Sequence, residues 1–183
     1  MMKVNEIFYS LQGEGHFTGC PAIFVRLSGC NRACPFCDTD FASFTEMSEE
    51  EIVNAVSTYP AKIVVITGGE PALQLTDSLV ALLHSAGKRV HVETNGSLPL
   101  PESLDWVTCS PKTPPYGIKR IDELKLLFTP GINPEAVAAT LPKAQIYSLQ
   151  PLAGEDPTPT INYILAHPAW RLSLQTHKLL NIQ

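Results

Sequence analysis

The chain has 183 residues and a formal net charge of −5, and 44% of its residues are hydrophobic while 17% are charged. This size predicts a single domain over residues 1–183. The composition is that of a soluble globular protein. An acidic chain is unsuited to direct nucleic-acid binding, which normally uses a basic surface. The sequence has no run of about 18 apolar residues and no signal peptide, so we expect a cytoplasmic protein without a membrane segment.

Strand and helix patterns alternate along most of the chain. The pattern Ser48-Glu49-Glu50-Glu51 is a capping box and predicts a helix that ends before Pro60. A second helix is predicted from Leu73 to a C-terminal cap at Gly87. Two more are predicted over residues 134–141 and 159–167. Strands are predicted over residues 3–12, 22–27, 62–66, 89–93, 105–109, 123–128, 145–149 and 172–174.

This alternation favours an α/β fold with a mainly parallel sheet. A complete eightfold barrel typically needs about 250 residues, and this chain is shorter. We therefore predict an open, partial barrel of about six strands. Proline-rich segments at residues 111–115 and 151–159 leave little room for helices in the second half, so the helical layer there should be reduced.

Three of the five cysteines, Cys30, Cys34 and Cys37, lie within eight residues, directly after a predicted strand. A structural zinc ion takes four protein ligands, whereas a four-iron cluster tolerates three cysteines because its remaining iron can bind another molecule. Two alternatives stay open at this point: a zinc site completed by a distant ligand, and a redox pair formed by Cys34 and Cys37. Cys20 and Cys109 are expected to be small buried residues.

Polar motifs follow several predicted strands at the point where each strand ends. They are the cysteine loop, Thr67-Gly68-Gly69-Glu70-Pro71, Thr94-Asn95-Gly96, Ser110-Pro111-Lys112 and Gln150-Pro151. Since the carboxyl ends of parallel strands meet on one side of a sheet, these motifs should face one cavity. Gly68 and Gly69 would let the backbone approach a ligand closely, although a simple tight turn is the alternative for this motif alone.

The cysteine spacing, with Phe36 just before the last thiol, resembles the radical S-adenosylmethionine superfamily. The resemblance implies a 4Fe-4S cluster on Cys30, Cys34 and Cys37, through which these residues are catalytic. S-adenosylmethionine would bind the fourth iron, and an electron from the cluster would split it to give a 5'-deoxyadenosyl radical. The residues implied to hold S-adenosylmethionine are Phe36, Cys37, Asp38, Gly69, Ser110, Pro111, Lys112, Gln150 and Pro151.

The motifs at residues 10–15, 24–30, 37–39, 67–71, 92–96, 110–112 and 176–178 together resemble the 7-carboxy-7-deazaguanine synthases. This resemblance implies that 6-carboxy-5,6,7,8-tetrahydropterin is contracted to 7-carboxy-7-deazaguanine with loss of ammonia, on the route to queuosine. It also implies magnesium on Thr39, a flavodoxin or ferredoxin as electron donor, and a homodimer. The implied substrate residues are Leu11, Gln12, Gly13, Arg26, Thr67 and Gln183, with His177 as a further candidate.

Two other functions compete with this interpretation. A glycyl-radical activating enzyme would use the same cofactor on a partner protein, but it gives no reason for the motif at residues 11–15. A zinc-bearing binding module would perform no radical chemistry at all. Iron content and cleavage of S-adenosylmethionine would separate the radical enzymes from the zinc-bearing module.

Overall fold

The computed structural model describes residues 1–34, 37 and 43–183. The helices are α1 (Glu49–Ser57), α2 (Asp77–Ser85), α3 (Pro134–Ala138), α4 (Thr158–Ala166) and α5 (Thr176–Leu180), with a short 3-10 helix at Pro71–Leu73. The strands are β1 (Met2–Leu11), β2 (Pro21–Leu27), β3 (Thr45–Met47), β4 (Ile63–Gly68), β5 (Arg89–Thr94), β6 (Trp106–Cys109), β7 (Glu123–Phe128), β8 (Ile146–Pro151) and β9 (Trp170–Leu172).

All nine of these strands form one sheet, in the order β3-β1-β2-β4-β5-β6-β7-β8-β9. The strands from β2 through β4 to β9 run parallel, whereas β1 is antiparallel to both β2 and β3. The first and last strands of this order, β3 and β9, do not pair with each other in the described part of the chain. The prediction of a partial α/β barrel is therefore confirmed, and the antiparallel β1 and β3 extend it at one edge.

The helices start where their capping residues predict. Ser48 Oγ accepts a hydrogen bond from the Glu51 amide, and the Glu51 carboxylate accepts one from the Ser48 amide, so the capping box opens α1 as expected. The second helix begins later than predicted, because Thr76 caps it by accepting from the Leu79 amide. Leu73 consequently lies in the preceding 3-10 helix, with an exposed side chain.

Two further expectations need correction. The last strand, predicted at residues 172–174, lies at Trp170–Leu172, where it pairs with Tyr147–Leu149 of β8. Cys20 is only half-buried, at the end of the loop before β2, whereas Cys109 is buried as expected.

Side chains alternate between the two faces of the central strands. Val90 and Val92 of β5 and Leu124 and Leu126 of β7 belong to the main hydrophobic core. The intervening residues of these strands project to the opposite, inner face, and several of them are polar: Glu93, Glu123 and Lys125. The interior of the open barrel is thus polar enough to receive a charged ligand.

The loop between β1 and β2, residues 12–20, inserts into the barrel interior, and we call it the plug loop. The His16 amide donates to Glu123 Oε2 over 2.9 Å, and the His16 ring stacks on Trp106 with 5.1 Å between centroids. Glu123 and Trp106 are the first residues of β7 and β6. The plug loop therefore fills the end of the barrel opposite the strand exits.

Among the described residues, no helix has the length and apolar character needed to cross a bilayer.

Candidate active site

A cavity of about 480 Å³ opens at the strand exits, and Cys30, Cys34 and Cys37 all line it. We call it the cysteine cavity. Ser110, Lys112 and Gln150 also line it, as do Gly68 and Gly69, so the motifs predicted to converge do meet at one site.

The loops after β2 and β4 press directly against each other. The Gly69 amide donates to the Leu27 carbonyl over 3.0 Å, and the Glu70 amide donates to the Gly29 carbonyl over 2.9 Å. A Cβ atom at Gly69 would lie 2.0 Å from the Gly29 carbonyl oxygen, so only glycine fits there. The start of the cysteine loop is thereby held against the Gly-Gly turn.

The side chain of Glu70 is fully buried and organises the site rather than lining the cysteine cavity. Its carboxylate accepts hydrogen bonds from Thr94 Oγ1 at 2.6 Å, the Asn95 amide at 2.7 Å and the Ala72 amide at 3.0 Å. Asn95 Nδ2 in turn donates to Asn31 Oδ1 over 3.0 Å, so the exit of β5 is joined to the cysteine loop.

A second cavity of about 490 Å³ lies beside the first, and we call it the tail cavity because Ile182 and Gln183 form part of its wall. His177 also lines it. The six residues predicted to contact substrate all line this cavity: Leu11, Gln12, Gly13, Arg26, Thr67 and Gln183.

The predicted carboxylate-binding arginine is held by a neighbouring carboxylate. Arg26 Nε donates to Glu6 Oε1 over 2.7 Å, and the Gln183 side-chain amide donates to Glu6 Oε2 over the same distance. The Ser10 hydroxyl donates to the main-chain oxygen of Gln183 over 2.6 Å. Glu6 thus links the arginine to the residue that covers the tail cavity.

The two cavities share a wall in which three charged side chains meet. Lys125 Nζ donates to Glu14 Oε2 over 2.6 Å and to Glu93 Oε2 over 2.9 Å, and all three residues line both cavities. None of the three was among the site residues predicted from the sequence, although Glu14 and Glu93 lie within the motifs at residues 10–15 and 92–96. The available signal was that Glu93 and Lys125 alternate with apolar residues in predicted central strands, where an ionic side chain is expensive without a functional or ionic partner.

The pKa values of these three side chains are shifted in different ways. Burial raises the pKa of Glu93 to about 7, although the Lys125 ammonium opposes this shift. Burial also acts on Glu14, but the ion pair with Lys125 outweighs it and holds the pKa of Glu14 at about 2. Burial alone would lower the pKa of Lys125, but the two carboxylates together outweigh it and raise the pKa, so the lysine stays charged.

The remaining predicted residues are distributed as follows. Pro111 lines a third cavity of about 560 Å³, which it shares with Cys34 and Lys112. Pro151 ends β8 and lines neither the cysteine cavity nor the tail cavity. The predictions for Phe36, Asp38 and Thr39 lie outside the described residues.

The cysteine cavity has the ligands and the space that an iron-sulfur cluster needs. Its three thiols are suitable ligands for iron, and its volume of about 480 Å³ leaves room for a second molecule beside them. In the described part of the chain, no three histidine, cysteine, aspartate or glutamate side chains are already gathered around one metal position. The fit therefore rests on the donor set and the shape of the cavity.

Comparison with known proteins gives the family. The model of the Radical SAM superfamily matches residues 24–145. The chain is 52% identical to the 7-carboxy-7-deazaguanine synthase of Bacteroides thetaiotaomicron, with all of both chains covered, and 41% identical to that of Nitratidesulfovibrio vulgaris, with 98% of each covered. The crystal structure of QueE from Escherichia coli superimposes with a TM-score of 0.84 at 32% identity, covering 96% of this chain and 94% of that one. The chain therefore belongs to the radical S-adenosylmethionine superfamily and, within it, to the family of the 7-carboxy-7-deazaguanine synthases.

Proposed function

We propose that the protein converts 6-carboxy-5,6,7,8-tetrahydropterin to 7-carboxy-7-deazaguanine and ammonia, a step towards queuosine and related 7-deazapurines. The observation that carries this proposal is the wall shared by the cysteine cavity and the tail cavity. Transfer of a hydrogen atom between cofactor and substrate requires the two molecules to touch. Two adjoining cavities, one with thiols and one with the implied substrate residues, supply that arrangement.

Membership of the superfamily implies a 4Fe-4S cluster and S-adenosylmethionine. Cys30, Cys34 and Cys37 would hold the cluster as its protein ligands. The backbone carbonyls near Gly68 and Gly69 would accept hydrogen bonds from the amino group of S-adenosylmethionine. When bound, cluster and cofactor supply the carbon radical that removes a hydrogen atom from the substrate.

The substrate would occupy the tail cavity, whose volume suits a small ligand. Arg26 offers a guanidinium group to the pterin carboxylate, and Glu6 fixes its orientation by accepting from Nε. Gln12 has an amide that matches the donor and acceptor edge of the pterin. Glu93 adds a carboxylate that accepts from a pterin N–H group.

Magnesium, the electron donor and the oligomeric state are finer parts of the proposal, and they rest on the family resemblance. Thr39 would bind magnesium next to the substrate carboxylate, which agrees with the preference of this ion for oxygen ligands and few protein groups. A flavodoxin or ferredoxin would reduce the cluster, and the protein would act as a homodimer.

The test is turnover by the anaerobically reconstituted protein, with S-adenosylmethionine, magnesium, a reductant and the carboxylated pterin. Mass spectrometry should detect 7-carboxy-7-deazaguanine, and Cys30→Ala should abolish both product and cleavage of S-adenosylmethionine. Cys20→Ala is the matched control, because Cys20 lies outside the cysteine cavity, and it should retain activity. Omitting magnesium should lower turnover by wild type more than turnover by Thr39→Ala.

Each failure has a different meaning. A protein that cleaves S-adenosylmethionine but leaves the pterin unchanged acts on another substrate. A protein that binds zinc and cleaves nothing would exclude radical chemistry.

A further inference from the structure

The side chain of Lys125 is buried between two carboxylates, with only 7% of its surface exposed. With all three groups ionised, the group Glu14–Lys125–Glu93 has one more negative than positive charge. Burial of an ionic group contributes little net stability, and apolar side chains of similar size often replace such groups without loss. The charges of this group are therefore better explained by what they do at the wall between the two cavities.

The four carboxylate oxygens of the group are not held equally. Lys125 holds one oxygen of each carboxylate, and Gln175 Nε2 donates to Glu14 Oε1 over 2.8 Å. Within the described residues, Glu93 Oε1 accepts a single, longer hydrogen bond of 3.3 Å, from Gln12 Nε2. Glu93 and Gln12 both line the tail cavity, so this oxygen is the one most available to a ligand there.

We propose that Lys125 is a positioning residue that favours the ionised form of Glu93 and orients it towards the N–H edge of the substrate, while the charge of Glu14 acts in the opposite direction. The inference deepens the proposed function and rests on it, because it requires a pterin in the tail cavity. Lys125 is 32 residues from Glu93 and 111 residues from Glu14 along the chain, so the fold alone brings them together.

The physical basis is competition between two neighbours of Glu93. The positive charge of Lys125 lowers the pKa of Glu93, and the negative charge of Glu14 raises it. Removing one neighbour or the other must then move the titration of Glu93 in opposite directions. The other charged or titratable groups of the surrounding elements are unchanged in both variants: Glu6 on β1, Arg26 on β2, Lys112 after β6, Glu123 on β7, and His177 and Lys178 on α5.

The affinity for the pterin reports this titration. Below its pKa, Glu93 carries a proton, and a neutral carboxyl group accepts the substrate N–H bond more weakly than a carboxylate does, so affinity falls on the acid side. In Lys125→Met this fall should occur at a pH higher by about one unit or more, because the attractive charge is gone. In Glu14→Gln it should occur at a lower pH than in wild type. Lys125→Arg keeps the charge and should remain close to wild type.

The measurement is the dissociation constant of 6-carboxy-5,6,7,8-tetrahydropterin as a function of pH. It uses reconstituted enzyme loaded with S-adenosylmethionine, without reductant, and equilibrium dialysis under anaerobic conditions. Profiles of kcat and KM with pH accompany it. Iron content and thermal unfolding of each variant check that the protein is folded.

Opposite shifts in Lys125→Met and Glu14→Gln support the inference. Unshifted profiles, or shifts in the same direction, overturn it. A purely structural role of Lys125 would lower the stability of the protein without changing the pH at which the affinity for the pterin falls. If Lys125→Met does not fold, Glu14→Gln decides alone: a shift to lower pH supports the inference and an unchanged profile overturns it. If wild type neither binds nor converts the pterin, the proposed function fails and the inference falls with it.

Discussion

The His91 side chain is buried beside the plug loop. Its ring lies 4.6 Å from that of Phe17 and 6.4 Å from that of Trp106, measured between centroids. Its Nε2 atom has no hydrogen-bond partner in the part of the chain that the structure describes. Burial lowers the pKa of His91 to about 4, so the ring is neutral in the folded protein at physiological pH.

This histidine should make the stability of the protein depend on pH. In the unfolded chain the histidine titrates near its ordinary value of about 6.5, and in the folded chain it titrates near 4. Between these values the unfolded state binds a proton that the folded state does not, so the free energy of unfolding should fall as the pH is lowered. The full loss, reached below about pH 4, should be about 3 kcal/mol.

Denaturant unfolding of the cluster-free protein at several pH values measures the loss. His91→Phe should flatten the dependence in this range, and His167→Phe, at the C-terminal end of α4, is the matched control. An equal slope in wild type and His91→Phe would assign the pH dependence to other groups.

Residues in short motifs could be predicted from the sequence, whereas residues that meet through the fold could not. Gln12, Gly69 and Cys30 belong to local patterns whose spacing is visible in the chain. Glu14 and Lys125 form an ion pair across 111 residues, and no local pattern encodes that pairing. Their contact depends on the plug loop entering the barrel, and no local sequence pattern predicts that insertion.

At the level of the elements, the decisive contact is that between the end of β4 and the end of β2. Gly69→Ala should displace the start of the cysteine loop, because the new Cβ atom would lie 2.0 Å from the Gly29 carbonyl oxygen. We expect the affinity for S-adenosylmethionine to fall at least about tenfold, equivalent to about 1.4 kcal/mol. Equilibrium binding to the reconstituted enzyme measures this.

The control for this substitution is Gly154→Ala, where a Cβ atom meets nothing within 4 Å. That glycine has a positive φ, so its replacement introduces backbone strain without a clash. Unchanged affinity in Gly69→Ala would show that the contact does not position the cofactor.

The first and last residues of a strand or helix could be predicted only where the neighbouring sequence marks them clearly. Strand β7 occupies the predicted residues 123–128, because polar and apolar residues alternate at its start and Thr129-Pro130-Gly131 follows its end. Strand β3 has only three residues and is defined by pairing with β1, which the sequence does not reveal. Helix α5 has five residues, too few for a periodic pattern, and was not predicted.

On the scale of the whole molecule, the first strand and the last residues of the chain build the tail cavity together. Ser10 and Glu6 of β1 both bind Gln183, and the Thr176 amide donates to the Gly13 carbonyl over 2.9 Å. The cysteine cavity, by contrast, includes neither Ile182 nor Gln183. The two cavities should therefore respond differently to loss of the chain end.

Deleting residues 181–183 should raise the KM for the pterin by at least about tenfold, which corresponds to about 1.4 kcal/mol of lost binding. Cleavage of S-adenosylmethionine in the absence of pterin should change little, because the wall of the cysteine cavity remains. Steady-state kinetics and an uncoupled cleavage assay measure the two quantities. Gln183→Ala, which keeps the chain length, separates the side chain from the backbone. Equal losses in both assays would contradict the separate roles of the cavities.

The plug loop also has a consequence for the order in which the protein folds. Residues near the amino terminus are held by Glu123, Ser173 and Thr176, which leave the ribosome more than a hundred residues later. Contacts so distant along the chain form slowly, since the intervening segment must first be ordered. The β1–β2 hairpin can pair early, but the interior of its loop must stay hydrated until the carboxyl-terminal strands arrive. Competence to bind ligands should accordingly be the last property that a newly synthesised chain acquires.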